Sequence, residues 1–411
     1  MSSKIFTSLV LPNGTTLPNR IAKAAISENM AGNGQLPNDR IARLYKAFAE
    51  GGAGLIITGN VMVAPLSIGE PGNIVLQKNT DLVPFRQWAQ AGKSKDGQIW
   101  MQINHPGRQV FADLGQPGWA PSEVTMNLGK HTKLFAKPRV LSEDKITEII
   151  QQFADTAKQA EAAGFNGVQM HAAHGYLINQ FLSPLTNLRQ DKWGGSLENR
   201  ARFLIEVVKA VKSVVGYNFC VSVKLNSADF QRGGFSSTDA LEVVKMLNAC
   251  GLDLIEVSGG NYESPAILGE TSDDSTLSRE AYFLEFAAEI AKVATMPIMT
   301  TGGIRRKEVA EIVLNQGVEM VGIATALAMD PYLPKAWKEG RNKDGLRPTL
   351  DYKDKAIRGL ISLAYFERQL IRISSGKTPK LGINPVINLF RHLIRNKALT
   401  YRYLCWTKKA I

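Results

Sequence analysis

Short apolar runs alternate with longer amphipathic segments along most of the chain. Apolar runs bounded by turn residues are typical of buried strands, and apolar residues at helical spacing predict helices between them. The predicted strands are residues 20–24, 55–59, 99–103, 167–170, 221–225, 254–257, 298–301 and 320–323. The predicted helices are residues 39–50, 143–163, 196–215, 237–249, 279–293 and 307–316. This α/β alternation predicts a (β/α)8 barrel, whose active site forms where the strands end.

A doubly wound open sheet is the competing architecture for alternating strands and helices. The first predicted strand is not followed by the Gly-x-Gly-x-x-Gly turn common in such sheets, so a closed barrel is favoured. Before that strand, Pro12-Asn13-Gly14 lies between alternating apolar residues and predicts a β-hairpin. After the third strand, residues 106–141 have no convincing helical pattern. A loop of that length at a strand end is expected to cover the barrel mouth and shape the substrate site.

The charge of the chain is unevenly distributed. Its 411 residues suit one barrel with additions, and the formal net charge is +12. Residues 335–411 hold 18 Lys and Arg against 5 Asp and Glu, which leaves the remainder close to neutral. We therefore predict a barrel over residues 1–338 and a basic, helical C-terminal extension over residues 339–411.

The basic extension is consistent with two roles. Residues 356–373, and the segment that begins at Asn384-Pro385, place apolar residues along one side of a helix. On the simpler account, these apolar sides pack on the barrel or on a second subunit. On the second account, the basic amphipathic end and its aromatic residues, Tyr401, Tyr403 and Trp406, lie on an anionic membrane surface. Nucleic acid is not an expected partner, because no recognition module accompanies the charge.

The cysteines and the beginning of the sequence suggest a compartment. Cys220, Cys250 and Cys405 are odd in number and lack the spacing of a metal site. The first residues lack the long apolar region of a secretory signal, and no apolar run reaches the ~18 residues of a membrane span. These features predict a cytoplasmic protein, which the membrane account would place at the membrane periphery.

Residues 171–202 carry a long motif directly after the fourth predicted strand. They read HAAHGYLINQFLSPLTNLRQDKWGGSLENRAR, and with the next residue they match HxxHGYLxxQFLSPxxNxRxDxxGGSxxNRxRF. This pattern resembles the old yellow enzyme family of flavin-dependent ene-reductases, and the resemblance extends over roughly residues 1–340. It implies a TIM barrel that binds FMN, takes electrons from NADPH or NADH, and acts on a small electron-poor alkene.

The resemblance implies three catalytic residues. His171 and His174 would hydrogen-bond the carbonyl or nitro oxygen of the alkene, where negative charge develops. A hydride would reach the β-carbon from the flavin, and Tyr176 would donate a proton to the α-carbon. Two alternatives remain for the histidines, a metal site or a structural pair. This stretch supplies no further metal ligands, so no metal is expected.

The resemblance also assigns cofactor contacts. The Gln102 amide, with one donor and one acceptor group, would pair with the flavin pyrimidine, although it could instead fill a layer of the barrel interior. Lys224 would place a cation near N1 and O2, at a position where most relatives have Arg. The Ser27 hydroxyl would lie near O4, or else satisfy a local turn. The remaining implied contacts are Ala25, Ile26, Asn60, Gly302, Gly303, Ala324 and Thr325.

One of these positions departs from the family pattern. Thr325 stands where the family usually has an arginine, so a phosphate there would depend on backbone N–H groups and a hydroxyl. Arg305 is close in sequence and could compensate.

Three functions follow from the resemblance. The first is an oxidoreductase that reduces activated C=C bonds with NAD(P)H by a ping-pong mechanism. The second is an enoyl-thioester or amine oxidoreductase of the same superfamily. Relatives of that type carry an iron–sulfur cysteine cluster after the barrel, whereas residues 339–411 contain one cysteine. The third is a catalytically weak flavin-binding scaffold.

Overall fold

The computed structural model describes residues 3–264, 280, 281, 283–346 and 355–410, and for 355–358 and 410 it describes the backbone alone. The strands are β1 (Leu9–Val10), β2 (Thr16–Leu17), β3 (Ile21–Lys23), β4 (Leu55–Ile57), β5 (Val61–Met62), β6 (Gln98–Asn104), β7 (Gly118–Ala120), β8 (Pro138–Val140), β9 (Gly167–Ala172), β10 (Cys220–Asn226), β11 (Leu254–Ser258), β12 (Ile298–Thr300) and β13 (Met320–Ile323). The helices are α1 (Asp39–Glu50), α2 (Val83–Ala91), α3 (Glu143–Ala162), α4 (Leu177–Leu182), α5 (Leu197–Lys212), α6 (Ser237–Leu247), α7 (Leu284–Val293), α8 (Lys307–Asn315), α9 (Thr325–Met329), α10 (Leu333–Lys338), α11 (Lys355–Ile373) and α12 (Pro385–Ala410).

Eight parallel strands close into the predicted barrel. In order around the barrel they are β3, β4, β6, β9, β10, β11, β12 and β13, and β13 pairs with β3 to complete the ring. Each of the eight overlaps one of the strands predicted from the sequence. Because all eight run in the same direction, their C-terminal ends meet at one face, which we call the mouth.

The predicted hairpin closes the opposite end of the barrel. β1 pairs with β2 in antiparallel fashion, and Gly14 in the connecting turn has a φ of 83°, which an L-residue rarely adopts. Leu9, Leu11 and Leu17 pack in one apolar cluster with residues such as Trp100, from the N-terminal half of a barrel strand. The hairpin therefore excludes water from the end away from the mouth.

The predicted helices form, with small differences at their ends. The helix predicted from residue 279 begins at Leu284, and residue 279 itself lies outside the described residues. The sequence analysis missed α2, α4 and α10. Helix α4 has six residues, all of them buried, so it carries no amphipathic pattern. Helices α2 and α10 are short and contain proline in the first turn.

Residues 106–141 contain two 3-10 segments and the β7–β8 pair but no α-helix. Arg108 anchors this loop from within, because its Nη1 donates to the carbonyls of Val124 and Thr125 at 3.1 and 3.0 Å. Its Nη2 forms a salt bridge with Glu263, which follows β11. The loop is thereby tied to a second loop at the mouth, as expected for a wall of the substrate site.

The C-terminal extension packs on the barrel through both of its helices. Leu370 and Ile373 of α11 join the barrel core. Tyr403 of α12 is fully buried and donates from its hydroxyl to the Pro65 carbonyl at 2.9 Å. As predicted, Asn384 caps α12, since its Oδ1 accepts from the backbone N–H of Val386 at 3.0 Å. Among the described residues, no helix is both long enough and apolar enough to cross a bilayer.

The first half of α12 does not bury its apolar side on the barrel, and packing on a second subunit stays a prediction. Asn388 and His392 face inward and are only 3% and 8% exposed, whereas Phe390 is 65% exposed. Tyr403, which the membrane account placed with Tyr401 and Trp406 on a lipid surface, is buried, whereas Tyr401 is exposed. The physical reason is that polar contacts with buried partners fix the rotation of α12, as described below.

Candidate active site

Two imidazoles and a phenol lie together at the mouth, where β9 ends. The His171 and His174 ring centroids are 5.0 Å apart, and those of His171 and Tyr176 are 4.7 Å apart. The chain turns sharply here, because His174 and Gly175 have φ values of 59° and 78°. The His174 backbone N–H donates to Asn226 Oδ1 at 3.1 Å, which stabilises the turn. The three side chains that the motif predicts are thus brought together.

Both histidines are neutral at physiological pH. Burial, and secondarily the charge of Lys224, hold the pKa of His171 and of His174 well below the usual value. His171 Nδ1 accepts from the Ala173 backbone N–H at 3.3 Å, so its proton resides on Nε2. His174 Nε2 lies 2.7 Å from the Ser258 hydroxyl. The pair is therefore suited to hydrogen bonding in the neutral form.

Tyr176 retains its proton over the physiological range. Burial, with the neighbouring Tyr262 and Glu70, raises its pKa well above the usual value. The two phenol oxygens, of Tyr176 and Tyr262, are 3.3 Å apart. Although 42% of Tyr262 is exposed, the protein around its phenol raises the pKa of that group to about 12. Asn60, predicted as a cofactor contact, acts on the Tyr176 phenol in the opposite direction and slightly lowers its pKa. Tyr176 is thus a weak acid held beside a second weak acid.

A chain of buried polar side chains crosses the barrel interior below these residues. Gln102 Nε2 donates to Gln169 Oε1 at 2.8 Å, and Gln169 Nε2 donates to Glu256 Oε2 at 2.9 Å. Glu256 Oε1 lies 2.9 Å from Lys224 Nζ, in an ion pair almost wholly removed from solvent. The adjacent strands β6, β9, β10 and β11 hold the four side chains in a row. Gln102 and Lys224, both predicted from the sequence, are therefore parts of one network.

Ser27 contacts a carboxyl that the sequence analysis did not identify. Its hydroxyl donates to Glu70 Oε2. Burial, and secondarily the charge of Glu367 from the C-terminal extension, raises the pKa of Glu70 to about 7. Ala25 and Ile26, the preceding residues, are partly exposed. The turn after β3 therefore lies against a carboxyl from the segment after β5, and that carboxyl titrates near neutrality.

The proposed phosphate-binding residues lie at the ends of β12 and β13. Gly302 and Gly303 have φ values of 124° and 73°, a conformation that favours glycine. Because glycine has no side chain, the backbone is uncovered there. Ala324 is the N-cap of α9, and Thr325 follows it as an exposed residue. Arg305 pairs with Glu280, Nη2 to Oε1, at 3.2 Å. Glu280 Oε1 also accepts from Arg306 Nε at 2.9 Å, and Arg305 Nη1 lies 3.9 Å from Asp344 Oδ2. Arg305 is therefore already held by two carboxylates, which weakens the suggestion that it replaces the missing arginine.

The polar atoms of this site fit a flavin ring. Both side-chain polar atoms of Asn104, and Oδ1 of Asn60, are buried without a hydrogen-bond partner in the described part of the protein. Buried polar atoms normally have partners, so these amides call for a polar group that the protein does not supply. The heteroaromatic edge of a flavin carries donors and acceptors of this kind, and Gln102 and Lys224 offer further ones. In the described residues, by contrast, no cluster of three or more His, Cys, Asp or Glu side chains is arranged for a metal ion.

The rest of the motif is structural. Asn187 Nδ2 donates to the carbonyls of Phe181 and Trp193, both at 2.8 Å. Arg200 Nε donates to the Leu182 carbonyl at 2.8 Å. Arg189 Nη1 donates to the Leu141 carbonyl at 2.7 Å, which connects the motif to the end of the long loop. These bonds hold the segment after β9 in place without contacting the cluster at the mouth.

The sequence analysis missed several site residues, for different reasons. Asn104 follows Gln102 at the alternate position on β6 and points to the same side, so strand periodicity could have identified it. Lys23 is 1% exposed and donates from Nζ to the Ile57 carbonyl at 2.8 Å; burial lowers its pKa to about 8. Glu70 and Tyr262 lie in connecting loops and carry no local signal, since only the fold brings them to the mouth.

Comparison with known proteins gives consistent matches. The family model described as the NADH:flavin oxidoreductase / NADH oxidase family matches residues 4–344. An NADH-dependent flavin oxidoreductase of Hypocrea jecorina (strain QM6a) is 38% identical over 349 residues, covering 80% of this chain and 87% of the relative.

Solved structures show the same architecture. The old yellow enzyme homologue from Zymomonas mobilis is similar with a TM-score of 0.70 and 26% identity, covering 82% of this chain and 92% of its own. A 2-naphthoyl-CoA reductase bound to 2-naphthoyl-CoA is similar with a TM-score of 0.79 and 26% identity, covering 94% of this chain. This chain spans 58% of that reductase, less than two thirds of its length.

Proposed function

Since the chain belongs to the old yellow enzyme family of NADH:flavin oxidoreductases, we propose that it is an FMN-dependent ene-reductase. It uses NADH or NADPH to reduce a C=C bond that a neighbouring carbonyl or nitro group activates. The observation that carries this proposal is the cluster of two neutral imidazoles and one protonated phenol at the barrel mouth. The reaction adds a hydride to one alkene carbon and a proton to the other.

The flavin would occupy the centre of the mouth. Gln102, Lys224, Asn60 and Asn104 would hold its polar edge, and the backbone at Gly302 and Gly303, with Ala324 and Thr325, would bind its phosphate. When bound, FMN supplies a carrier that accepts a hydride from the nicotinamide and returns it to the alkene.

His171 and His174 hold the substrate and polarise it. Electron density moves toward the carbonyl or nitro oxygen as the hydride arrives, and hydrogen-bond donors already in place stabilise that charge. Neutral imidazoles suit this role because each donates a hydrogen bond through its N–H group without transferring the proton to the substrate. The low pKa of both rings, set by burial and by Lys224, keeps them in that form. The burial that lowers the pKa also excludes water from the reacting oxygen.

Tyr176 completes the reaction by protonating the α-carbon. Its raised pKa keeps the proton in place until a strongly basic, carbanion-like carbon forms beside it. Tyr262, 42% exposed and 3.3 Å away between phenol oxygens, connects Tyr176 with solvent. A proton can therefore return to Tyr176 through Tyr262 after each turnover.

The test is turnover by the purified full chain. We expect a yellow protein that consumes NADH or NADPH under anaerobic conditions only when 2-cyclohexen-1-one is present, with cyclohexanone as product. A variant with His171→Ala and His174→Ala serves as the control that retains the flavin. A protein that binds flavin but reduces neither this enone nor a nitroalkene would refute the proposal and leave the scaffold role.

A further inference from the structure

Helix α12 turns its apolar side outward. Six large side chains on one side of this helix, between 48% and 72% exposed, form what we call the docking face. Its residues are Val386, Ile387, Phe390, Leu393, Ile394 and Tyr401. Asn388, His392 and Tyr403, on the opposite side, are buried. An exposed apolar patch of this kind usually marks a surface that another molecule covers.

Buried polar contacts prevent α12 from rotating to bury the docking face. Glu367 of α11 is 1% exposed, and its Oε2 lies 3.1 Å from His392 Nδ1 and 3.1 Å from Arg395 Nη1. Asn29, in the turn after β3, donates from Nδ2 to Asn396 Oδ1 at 3.0 Å. Rotation would break these bonds and leave Oε2 of the buried Glu367 carboxylate without a partner, which is strongly unfavourable. The outward direction of the apolar side is therefore built into the fold.

The segment that carries the docking face has charges of one sign. From residue 368 to residue 411 the sequence contains ten Lys and Arg and no Asp or Glu. Arg391, Lys397, Lys408 and Lys409 are exposed on α12 itself. Lysine and arginine close to an anionic lipid surface are each attracted to it, and apolar side chains beside them enter the headgroup boundary.

The same charge argues against a second copy as the occupant. A symmetric dimer through this face would place two helices without acidic residues against each other. Their charges would repel across a low-dielectric interface, with nothing on either helix to balance them. An anionic bilayer, by contrast, satisfies the apolar and the basic side chains together.

We infer that α12 docks this protein flat on an anionic lipid bilayer, with the docking face in the headgroup boundary. The helix packs against the 3-10 turns at Asn33–Gln35 and Ala112–Leu114, which follow the C-terminal ends of β3 and β6. The bilayer would therefore lie on the mouth side of the barrel. This inference stands independently of the proposed ene-reductase activity, because it rests on the surface of α12 alone.

Sedimentation with vesicles tests the inference on the full flavin-loaded chain. We expect binding to phosphatidylcholine vesicles that contain roughly 30% phosphatidylserine and none to phosphatidylcholine alone. Raising NaCl from about 0.1 to about 0.5 M should weaken binding at least roughly tenfold, since the Debye length shortens. Equal binding to both vesicle types, or no pelleting with either, would overturn the inference.

Two matched pairs of variants assign the binding to α12. Replacing Val386, Phe390 and Ile394 together by Ser should weaken binding roughly 100-fold. The control, with Ser at the equally exposed Val10, Val83 and Tyr217, should bind as the natural protein does.

Charge-removing variants form the second pair. We expect most of the salt dependence to be lost when Gln replaces Arg391, Lys397, Lys408 and Lys409. It should be kept when Gln replaces four exposed residues elsewhere, Lys78, Arg86, Lys93 and Lys95. Light scattering of the lipid-free protein completes the test. A dimer that the Ser variant of α12 converts to monomer would show that a second copy covers the face, and would refute the membrane assignment.

Discussion

Replacing Tyr176 by Phe isolates the proton transfer, and the structure sets the size of the effect. A positioned general acid contributes roughly 10²- to 10⁴-fold. The Tyr262 hydroxyl lies 3.3 Å from that of Tyr176, within reach of a water molecule filling the vacated position. We therefore expect Tyr176→Phe to slow alkene reduction by only about 10²-fold, or about 2.7 kcal/mol of barrier.

The double variant should show whether the Tyr262 hydroxyl supports proton transfer when Tyr176 is absent. With Tyr176→Phe and Tyr262→Phe combined, no hydroxyl of the pair remains, and we expect the loss to approach about 10⁴-fold, or about 5.4 kcal/mol. Tyr262→Phe alone should slow the reaction by less than about tenfold, because Tyr176 still delivers the proton. Such non-additivity is the signature of two groups that share one function.

Stopped-flow spectroscopy separates the two halves of the reaction. Reduction of the flavin by NADH, measured anaerobically from the loss of yellow colour, should change by less than about twofold in all three variants, because the phenols act only on the alkene. Reoxidation by 2-cyclohexen-1-one should show the full losses. Tyr217→Phe, at an exposed position far from the mouth, is the matched control. The reasoning fails if Tyr176→Phe reoxidises at the natural rate, or if both half-reactions slow equally.

Three further predictions concern the histidines and two carboxyls, Glu70 and Glu256. His171→Ala with His174→Ala should abolish the long-wavelength charge-transfer band of bound phenolate inhibitors, and a band of undiminished intensity would place the anchoring elsewhere. Glu70→Gln should flatten the pH dependence of the free energy of unfolding. The pKa of Glu70 is raised to about 7 in the folded protein, so the protonated carboxyl stabilises the folded state fully below the unfolded pKa, and this stabilisation is lost as the pH rises toward 8. At pH 8 the variant should be more stable than the natural protein by about 1 kcal/mol, less than the full shift implies because Glu70 is partly exposed. The same difference in melting temperature between variant and natural protein at pH 5.5 and at pH 8 would contradict this. Glu256→Gln should destabilise the flavin-free protein by about 3 kcal/mol in urea unfolding, because Lys224 loses its buried counter-charge, and an unchanged midpoint would show that the pair is not coupled.

Local sequence pattern determined the barrel and the centre of its site. Apolar runs at the eight strand positions carried the architecture, because a parallel strand buried on both faces is mostly apolar, with its few polar side chains held in the network inside the barrel. His171, His174 and Tyr176 lie within six residues of one another, so one turn of the chain is enough to bring them together. Their grouping was therefore predictable before any tertiary contact was known.

Tertiary structure decided the features that depend on distant residues. Glu70 and Tyr262 reach the mouth only because separate loops end there. Their raised pKa values depend on burial, which no local pattern records. Helix α12 illustrates the same limit. Its amphipathic pattern gave the helix, but the buried carboxylate of Glu367 on α11 decided which side faces inward. Periodicity fixes the relative directions of side chains on a helix, and only the partners available elsewhere in the fold decide which direction is buried.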